Sequence, residues 1–188
     1  QTAPPNCVGN GAVVNTWTAT DCSGNFAQHA QYVTIEDTEG PVLSEQPADI
    51  SLNCVFEVPG DPGVTATDNC GETIDVVFTQ SGLSTTCPGS GTVTNTWTAT
   101  DCAGNTTTHI QTITLDDNIP PVLSSLPANV SVTCVENAPG DPGITATDNC
   151  GEELTVVFSQ SQTPACPGSG SITNTWTVTD CAGNTTTH

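Results

Sequence analysis

Asp and Asn residues stand at the ends of the predicted strands and return at the same places one sequence repeat later. "VTATDNC" contains Asp68, "NTWTATDC" contains Asp101, and the preceding link "IEDTEG" contains Asp37. Carboxylate and amide oxygens gathered at one end of a domain form the set of about six to eight hard ligands that Ca²⁺ prefers. The sequence therefore predicts calcium binding where a link between repeats meets the strand ends. The candidate ligands are Asp37, Asp68, Asp101, Asn105, Asp116, Asp117, Asp148 and Asp180.

A structural role is the alternative for each of these residues, because Asp and Asn side chains also accept backbone hydrogen bonds in turns. That alternative is favoured for Asp61 and Asp141, each of which lies inside a "PGDPG" turn. His29, His109 and His188 share one register of the repeat, and we interpret them as strand side chains near solvent. Zinc binding or catalysis by these histidines is not favoured.

The charge of the chain excludes several classes of partner. The sequence has 20 Asp and Glu residues and no Lys or Arg, which gives a formal net charge of −20. Such a polyanion is repelled by nucleic acids and by anionic membrane surfaces, so neither is expected to bind. No apolar run is long enough to cross a bilayer, so membrane insertion of this segment is not expected. Cations from the medium must supply the counter-charge.

Catalysis is not predicted for this chain. Nucleophilic catalysis needs a Ser or Cys beside a base such as His, and here the cysteines are expected to be oxidised. The carboxylates and histidines recur at the same places in successive repeats, which is typical of structural positions. We therefore expect that the protein is not an enzyme.

An internal repeat of about 80 residues organises the sequence. Four cysteines recur in the next copy, the first two at the full repeat length and the last two one position short of it, and Cys7 and Cys22 occupy the last two places in an earlier copy. We interpret residues 1–37 as the C-terminal part of a first repeat, 38–117 as a complete second repeat, and 118–188 as a third repeat that lacks its last strand. The chain is interpreted as a segment of a longer array. The recurring set is Cys54, Cys70, Cys87 and Cys102, followed by Cys134, Cys150, Cys166 and Cys181.

Within each repeat, short Thr- and Val-rich segments alternate apolar and polar residues, as in "ADISLNC" and "TVTNTWTATD". Gly, Pro and Asn separate these segments, and no useful stretch has a helical period. Six or seven short strands in about 80 residues are typical of a small β-sandwich. The predicted fold is therefore all-β, with tandem immunoglobulin-like sandwiches stapled by disulfides and joined end to end. Trp97 is predicted to be the main apolar anchor of its core.

Ten evenly spaced cysteines indicate disulfides formed in an oxidising, extracellular setting. Four cysteines allow three connectivities, and the sequence alone does not choose between them. If two strands of opposite sheets end at the same end of a sandwich, the cysteines that follow them can meet there. This argument favours Cys70–Cys102 and Cys54–Cys87, and it leaves the partners of Cys7 and Cys22 open. The equivalent pairs in the third repeat are Cys150–Cys181 and Cys134–Cys166.

The segments "PVLSEQPADISLNC", "VTATDNCG", "NTWTATDCAGNTTTHIQTITLDD" and "IPPVL" resemble the hyalin-like (HYR-like) immunoglobulin-fold repeats. Such repeats occur in giant surface adhesins of Bacteroidota, including the gliding-motility adhesin, and the resemblance covers essentially the whole chain. It implies export by the type IX secretion system and an extracellular location at the outer cell surface.

The function expected from these features is structural. We predict stalk or spacer repeats of a long extracellular filament or adhesin, whose partners are neighbouring repeats and also surface polysaccharide or like filaments. One alternative is a module that binds glycans or surfaces through its Thr-rich faces. Another is a self-assembling fibre subunit joined by strand donation.

Overall fold

The structure is a computed structural model that describes residues 10–71, 73–84, 86–163 and 170–188. Within these residues the chain forms β-strands and two 3₁₀ turns, Val55–Glu57 and Val135–Asn137, without an α-helix. The strands are β1 (Asn10–Thr20), β2 (Phe26–Glu36), β3 (Val42–Leu43), β4 (Ile50–Leu52), β5 (Ala66–Thr67), β6 (Thr73–Ile74), β7 (Val76–Ser81), β8 (Ser90–Thr100), β9 (Thr106–Asp116), β10 (Val122–Leu123), β11 (Ala146–Thr147), β12 (Val157–Gln162), β13 (Ile172–Thr179) and β14 (Thr185–Thr187). The prediction of an all-β chain of tandem repeats is confirmed. In the described part of the chain, no helix has the length and apolar character needed to cross a membrane.

The chain is organised in two compact units that do not coincide with the sequence repeats. Unit 1 consists of Gln1–Ala48, Pro59–Gln80 and Thr94–Gln111, and unit 2 of Asp49–Val58, Ser81–Val93 and Thr112–His188. Segments of the second sequence repeat therefore belong to the same unit as the whole third repeat. The repeat boundaries at residues 37 and 117 stay a prediction from the sequence.

Unit 1 contains the antiparallel hairpin of β1 and β2, which pair from Asn10↔Glu36 to Thr20↔Phe26. It also contains the small antiparallel sheet β3-β5-β6. Alternation along β8 turns Trp97 and Ala99 to the buried side and the intervening threonines outward. The core of this unit is Leu43, Val64, Ile74, Trp97 and Ala99, with Ala66, Val76 and Phe78 packed against it.

Trp97 is the anchor of that core, as the sequence predicted, with 1% of its surface exposed. Its indole Nε1 donates a hydrogen bond of 2.9 Å to Asp61 Oδ1, which also accepts the backbone N–H of Gly63 at 3.0 Å. The bond from Trp97, followed by the bond from Gly63, holds the pKa of Asp61 below its usual range. His109 stacks on the indole, with ring centroids 5.8 Å apart. The "PGDPG" aspartate thus has the predicted turn role and also fixes the buried tryptophan.

Unit 2 contains two apolar cores. Leu123, Ile144, Trp176 and Val178 form the first, and Trp176 donates to Asp141 Oδ1 at 2.9 Å, as Trp97 does to Asp61. The second core is built where β4 pairs in parallel with β9, in the register Ile50↔Ile113 and Leu52↔Leu115. Its members are Val93, Ile113 and Leu115, with Ile50, Leu52, Val55 and Val58 packed against them. The remaining sheets of this unit are β10-β11 and β12-β13-β14.

Candidate functional site

Two disulfides in unit 2 join the second sequence repeat to the third. Cys54 bonds to Cys150 across a sequence separation of 96 residues, with Cα atoms 5.2 Å apart. Cys87 bonds to Cys181 across 94 residues, with Cα atoms 5.4 Å apart. The predicted pairs Cys54–Cys87 and Cys150–Cys181 are therefore wrong, because each of these cysteines bonds to the neighbouring repeat.

The reason lies in the surroundings of Cys150, which follows β11 in a turn. Its sulfur lies 3.2 Å from Asp117 Oδ2 and 3.5 Å from the Asn53 carbonyl oxygen, both of the preceding repeat. A disulfide sulfur carries no proton, so these are packing contacts rather than hydrogen bonds. The strand argument assumed that cysteines at one end of a sandwich face each other. In the third repeat, Cys150 and Cys181 bond to the preceding repeat instead.

The other cysteines differ in their state. Cys102 is disulfide-bonded, whereas Cys22 and Cys134 are free and exposed among the described residues. Because Cys134 is free, the structure does not support its predicted bond to Cys166. Cys166 and Cys7 lie outside the described residues. The predicted pair Cys70–Cys102 rested on the same strand argument as Cys150–Cys181. Because that argument failed for Cys150–Cys181, it no longer supports Cys70–Cys102.

Three carboxylates of unit 2 meet beside the Cys54–Cys150 disulfide. Asp117 follows β9, Asp148 follows β11 and Asp180 follows β13, and one oxygen of each lies within 4.8 Å of the others. Asp117 and Asp180 are only 4% and 6% exposed. Asp148 Oδ1 is buried, and no residue in the described part of the chain forms a hydrogen bond with it. The ends of three strands thus form an acidic cluster that we call the junction cluster.

Neutral donors hold the junction cluster in place. The Asn184 side-chain amide donates to the Asp117 carbonyl oxygen at 2.8 Å and to Asp180 Oδ2 at 2.9 Å. Asn149 Nδ2 donates to Asp117 Oδ1 at 3.1 Å and also lies 3.2 Å from Cys54 Sγ. Since the sequence has no Lys or Arg, no lysine or arginine side chain of this chain can neutralise the three carboxylates.

An equivalent cluster lies in unit 1, one sequence repeat earlier. Asp37, Asp68 and the sulfur of Cys70 place one ligand atom each within 4.8 Å of one another. Asp37 Oδ2 and Asp68 Oδ1 are buried and have no hydrogen-bond partner among the described residues. Asn105 Nδ2 donates to the Asp37 carbonyl oxygen at 3.1 Å, as Asn184 does to Asp117. The repeat therefore reproduces two of the three acids, because Asp101, the counterpart of Asp180, is not in the unit 1 cluster.

The comparison with known families agrees with the repeat. The family model of the HYR-like domain with 4 cysteines matches residues 42–115 and 123–188. The chain belongs to this family. No curated protein matches the sequence at a significant level. HYR-like domains are repeat domains of extracellular adhesion-type proteins.

The HYR-like repeats bring together part of the predicted calcium ligand set. Asp117, Asp148 and Asp180 form one cluster, and Asp37 and Asp68 belong to the other. Among the described residues, Asp116 belongs to neither cluster. Its side chain is exposed at the end of β9.

Asp101 and Asn105 support the unit 1 cluster from the β8–β9 turn. Asn105 Nδ2 donates to Asp101 Oδ2 at 2.8 Å, and the Asn105 backbone N–H donates to Asp101 Oδ1 at 2.8 Å. Burial opposes ionisation of Asp101, but the hydrogen bonds from Asn105 outweigh it and hold its pKa below the usual range. Asp101 therefore fixes the turn that presents Asn105 to Asp37.

Sequence reasoning missed Gly89 as a member of the site. A Cβ at this position would lie 2.8 Å from Asp117 Cβ and 3.3 Å from Cys150 Sγ. The Gly89 carbonyl oxygen accepts the Asp117 backbone N–H at 2.9 Å. The third position of "CPGSG", Gly89, therefore needs a residue without a side chain. The only sign of this in the sequence was that Gly89 lies close to Cys87.

Proposed function

We propose that these HYR-like repeats are structural spacers of an extracellular, surface-displayed protein, in which two disulfides and bound calcium fix each junction between successive repeats. The observation that carries this proposal is that Cys54–Cys150 and Cys87–Cys181 both run from one repeat to the next. Disulfides within a repeat would stabilise each domain alone. Disulfides between repeats restrict the motion of one repeat against its neighbour, which is what a spacer requires.

The electrostatics of the junction cluster support the calcium part of the proposal. Three carboxylate oxygens within 4.8 Å repel one another by roughly 3 kcal/mol or more per pair at an effective dielectric constant of about 20. Burial of an ionised oxygen without a partner, as for Asp148 Oδ1, adds a desolvation cost. A divalent cation removes both costs. An all-oxygen donor set suits Ca²⁺, whereas the sulfurs of Cys54 and Cys150 are oxidised and are poor ligands.

Calcium titration calorimetry on the chelator-treated chain tests this part. We expect binding at two sites, one for each cluster, and a rise in melting temperature because calcium binds the folded form. Asp148→Asn removes one carboxylate from the junction cluster and should abolish one site or weaken it by roughly tenfold or more. Asp116→Asn removes an exposed acid next to the cluster and should leave both sites unchanged. Absence of both binding heat and a melting shift would contradict calcium binding while leaving the disulfide argument intact.

A binding role for the Thr-rich faces is less well supported. Thr98 and Thr108 hydroxyls lie 3.4 Å apart across β8 and β9, and those of Thr100 and Thr106 lie 3.0 Å apart. These hydroxyls bond to one another, and Trp97 is buried rather than available for stacking on a sugar. Saturable binding of the recombinant chain on a glycan array would favour the binding module over the spacer.

The resemblance to the surface adhesins of Bacteroidota also leads us to propose display by a Bacteroidota cell, export by the type IX secretion system and participation in gliding. We also propose that the repeats have no enzymatic activity, because their acids and histidines recur at structural positions.

A further inference from the structure

The two disulfides between the repeats differ in how accessible their sulfur atoms are. Cys54 and Cys150 are 1% and 4% exposed, so the bond between them is shielded from solutes. In the other bond, Cys87 is half-buried and Cys181 is exposed. Thiol–disulfide exchange requires a thiolate to reach one of the two sulfur atoms, and exposed disulfides are therefore the labile ones. The two bonds should thus differ in their reactivity with thiols.

The exposure of Cys181 is a property of its place in the repeat. Cys181 lies in the turn between β13 and β14. Its counterpart in the second repeat, Cys102, lies in the equivalent turn between β8 and β9 and is also disulfide-bonded. Cys102 is exposed as well, although a further repeat follows it in the sequence. Access to the fourth cysteine therefore recurs from one repeat to the next.

A cavity of about 590 Å³ lies beside Cys181. Glu152, Glu153 and Asp180 line it together with Cys181, whereas Cys87 is not among the lining residues. Glu152 Oε1 accepts the Cys181 backbone N–H at 3.2 Å, so this carboxylate lies next to the disulfide. Glu152 Oε2 is buried and has no hydrogen-bond partner among the described residues. A reactant that enters the cavity therefore meets the Cys181 sulfur together with three carboxylates that no lysine or arginine neutralises.

We propose that the Cys87–Cys181 disulfide is a site of thiol–disulfide exchange with small aminothiols, and that Cys181 Sγ is the atom attacked. The thiolate of the aminothiol is the nucleophile, and its ammonium group is attracted by the carboxylates of the cavity. A thiol that carries a further negative charge is repelled by the same carboxylates. The cavity thus selects among thiols by their charge.

The exchange takes place in two steps. The thiolate attacks Cys181 Sγ, the bond to Cys87 breaks, and the electron pair leaves on Cys87 Sγ, which takes up a proton from water. A second aminothiol thiolate attacks the mixed disulfide, leaves as the oxidised aminothiol disulfide and releases Cys181 as a thiolate, which is protonated in turn. Two electrons and two protons pass from two aminothiols to the protein.

The buried Cys54–Cys150 bond does not take part, so one cross-link between the repeats remains where there were two. The inference rests on the exposure of the two bonds and on the charge of the cavity. It depends neither on calcium binding nor on the spacer function, so its test can fail without affecting either.

Timed reduction of the intact chain by cysteamine tests which bond reacts. Free thiols are first blocked with N-ethylmaleimide. The thiols that cysteamine releases are then labelled with iodoacetamide and located by mass spectrometry after cleavage at Asp and Glu. We expect the Cys87–Cys181 bond to open faster than the Cys54–Cys150 bond by roughly tenfold or more, because the latter is buried. At early times the cysteamine adduct should be found on Cys181.

Selection by charge is tested by comparing cysteamine with the anionic thiol 2-mercaptoethanesulfonate. Each rate is divided by the rate of the same thiol with a small uncharged disulfide, and chelator is present so that no bound cation alters the charge of the cavity. At low salt cysteamine should be favoured by roughly fivefold or more, and the preference should fall towards one at about 1 M salt, where the Debye length is about 3 Å.

Two variants show whether the acids of the cavity cause this preference. Glu153→Gln removes an exposed acid from the lining and should reduce the preference by about twofold or more. Glu136→Gln is the matched control, because Glu136 is an exposed acid of the same repeat that does not line the cavity, and it should leave the preference unchanged.

Three results would overturn the proposal. Equal rates for the two bonds, or earlier reduction of Cys54–Cys150, would show that exposure does not decide which bond is exchanged. An early adduct on Cys87 would show that Cys181 is not the atom attacked. Equal normalised rates for the two thiols at low salt, or equal effects of Glu153→Gln and Glu136→Gln, would show that the cavity does not select aminothiols.

Discussion

Pairs of cysteine substitutions should reveal which cysteines share a bond. In the structure, Cys54→Ala combined with Cys150→Ala removes one disulfide, because the two residues form the same bond. Cys54→Ala combined with Cys87→Ala removes two disulfides, because each residue bonds to the third repeat. Pairing within a repeat would give the opposite pattern. The comparison is a double-mutant cycle in which residues that form one bond are fully non-additive.

The expected magnitudes follow from the lengths of the loops. In the chain-entropy model, a bond that closes 96 residues stabilises the folded state by about 4.7 kcal/mol, and one that closes 94 residues does so by nearly the same amount. Cys54→Ala with Cys150→Ala should therefore cost about 5 kcal/mol. Cys54→Ala with Cys87→Ala should cost more than the loss of either bond alone and at most about 9 kcal/mol, because the two loops share residues 87–150 and their entropies do not fully add.

Urea denaturation followed by tryptophan fluorescence, to which Trp176 contributes from unit 2 and Trp17 and Trp97 from unit 1, measures both costs. The thiols left by the substitutions are alkylated first, so that Cys150 and Cys181 cannot form a new bond. Cys134→Ala is the matched control, because Cys134 is free and exposed, and it should change stability by no more than about 0.5 kcal/mol. If the variant lacking Cys54 and Cys87 is no less stable than the variant lacking Cys54 and Cys150, the assigned connectivity is wrong.

Two further predictions concern Asp141 and Gly89. The bond from Trp176 Nε1 holds the pKa of Asp141 below its usual 3.8. The ionised Asp141 carboxylate therefore stabilises the folded state fully above pH 3.8, and this stabilisation is lost as the pH falls through the lower pKa of the folded state. Asp141→Asn should remove this loss, which urea midpoints between about pH 2 and pH 5 would show as a flatter pH dependence. Gly89→Ala should destabilise unit 2 by roughly 1–3 kcal/mol, because the added Cβ would meet Asp117 Cβ at 2.8 Å. Gly140→Ala, whose Cβ would meet nothing within 4 Å, should be close to neutral in the same denaturation assay, and equal effects would contradict the packing argument.

The strands and the acidic clusters could be predicted because both depend on local sequence. Alternation placed Trp97 on the buried side of β8, where it is 1% exposed. Asp68 and Asp148 each follow a short strand immediately, so their placement at a domain end followed from the strand itself. The sequence could not show that Asp116 points away and Asp117 inward, because that choice depends on where β9 ends.

The disulfide partners could not be predicted because the repeat makes them ambiguous. Cys70 and Cys150 occupy the same position of successive repeats, so Cys54 could have been assigned to either on sequence grounds. Only the docking of Asp117 and Asn53 against Cys150 distinguishes a bond to the next repeat from one within a repeat. The sequence repeat also could not show that segments of the second repeat belong to unit 2, since a repeat in sequence need not be the unit that packs.

The absence of Lys and Arg and the presence of disulfides between repeats have a common physical explanation. A junction without cationic side chains cannot be held by salt bridges, and its carboxylates repel one another when they are brought together. Asp117 lies against the sulfur of Cys150 at 3.2 Å and also belongs to the junction cluster, so the covalent bond lies beside carboxylates that repel one another. The disulfide keeps the acids in place when no cation is bound, and the proposed calcium ion then finds a site that is already assembled. Preorganisation of this kind raises affinity because the cost of gathering the ligands has been met during folding and oxidation.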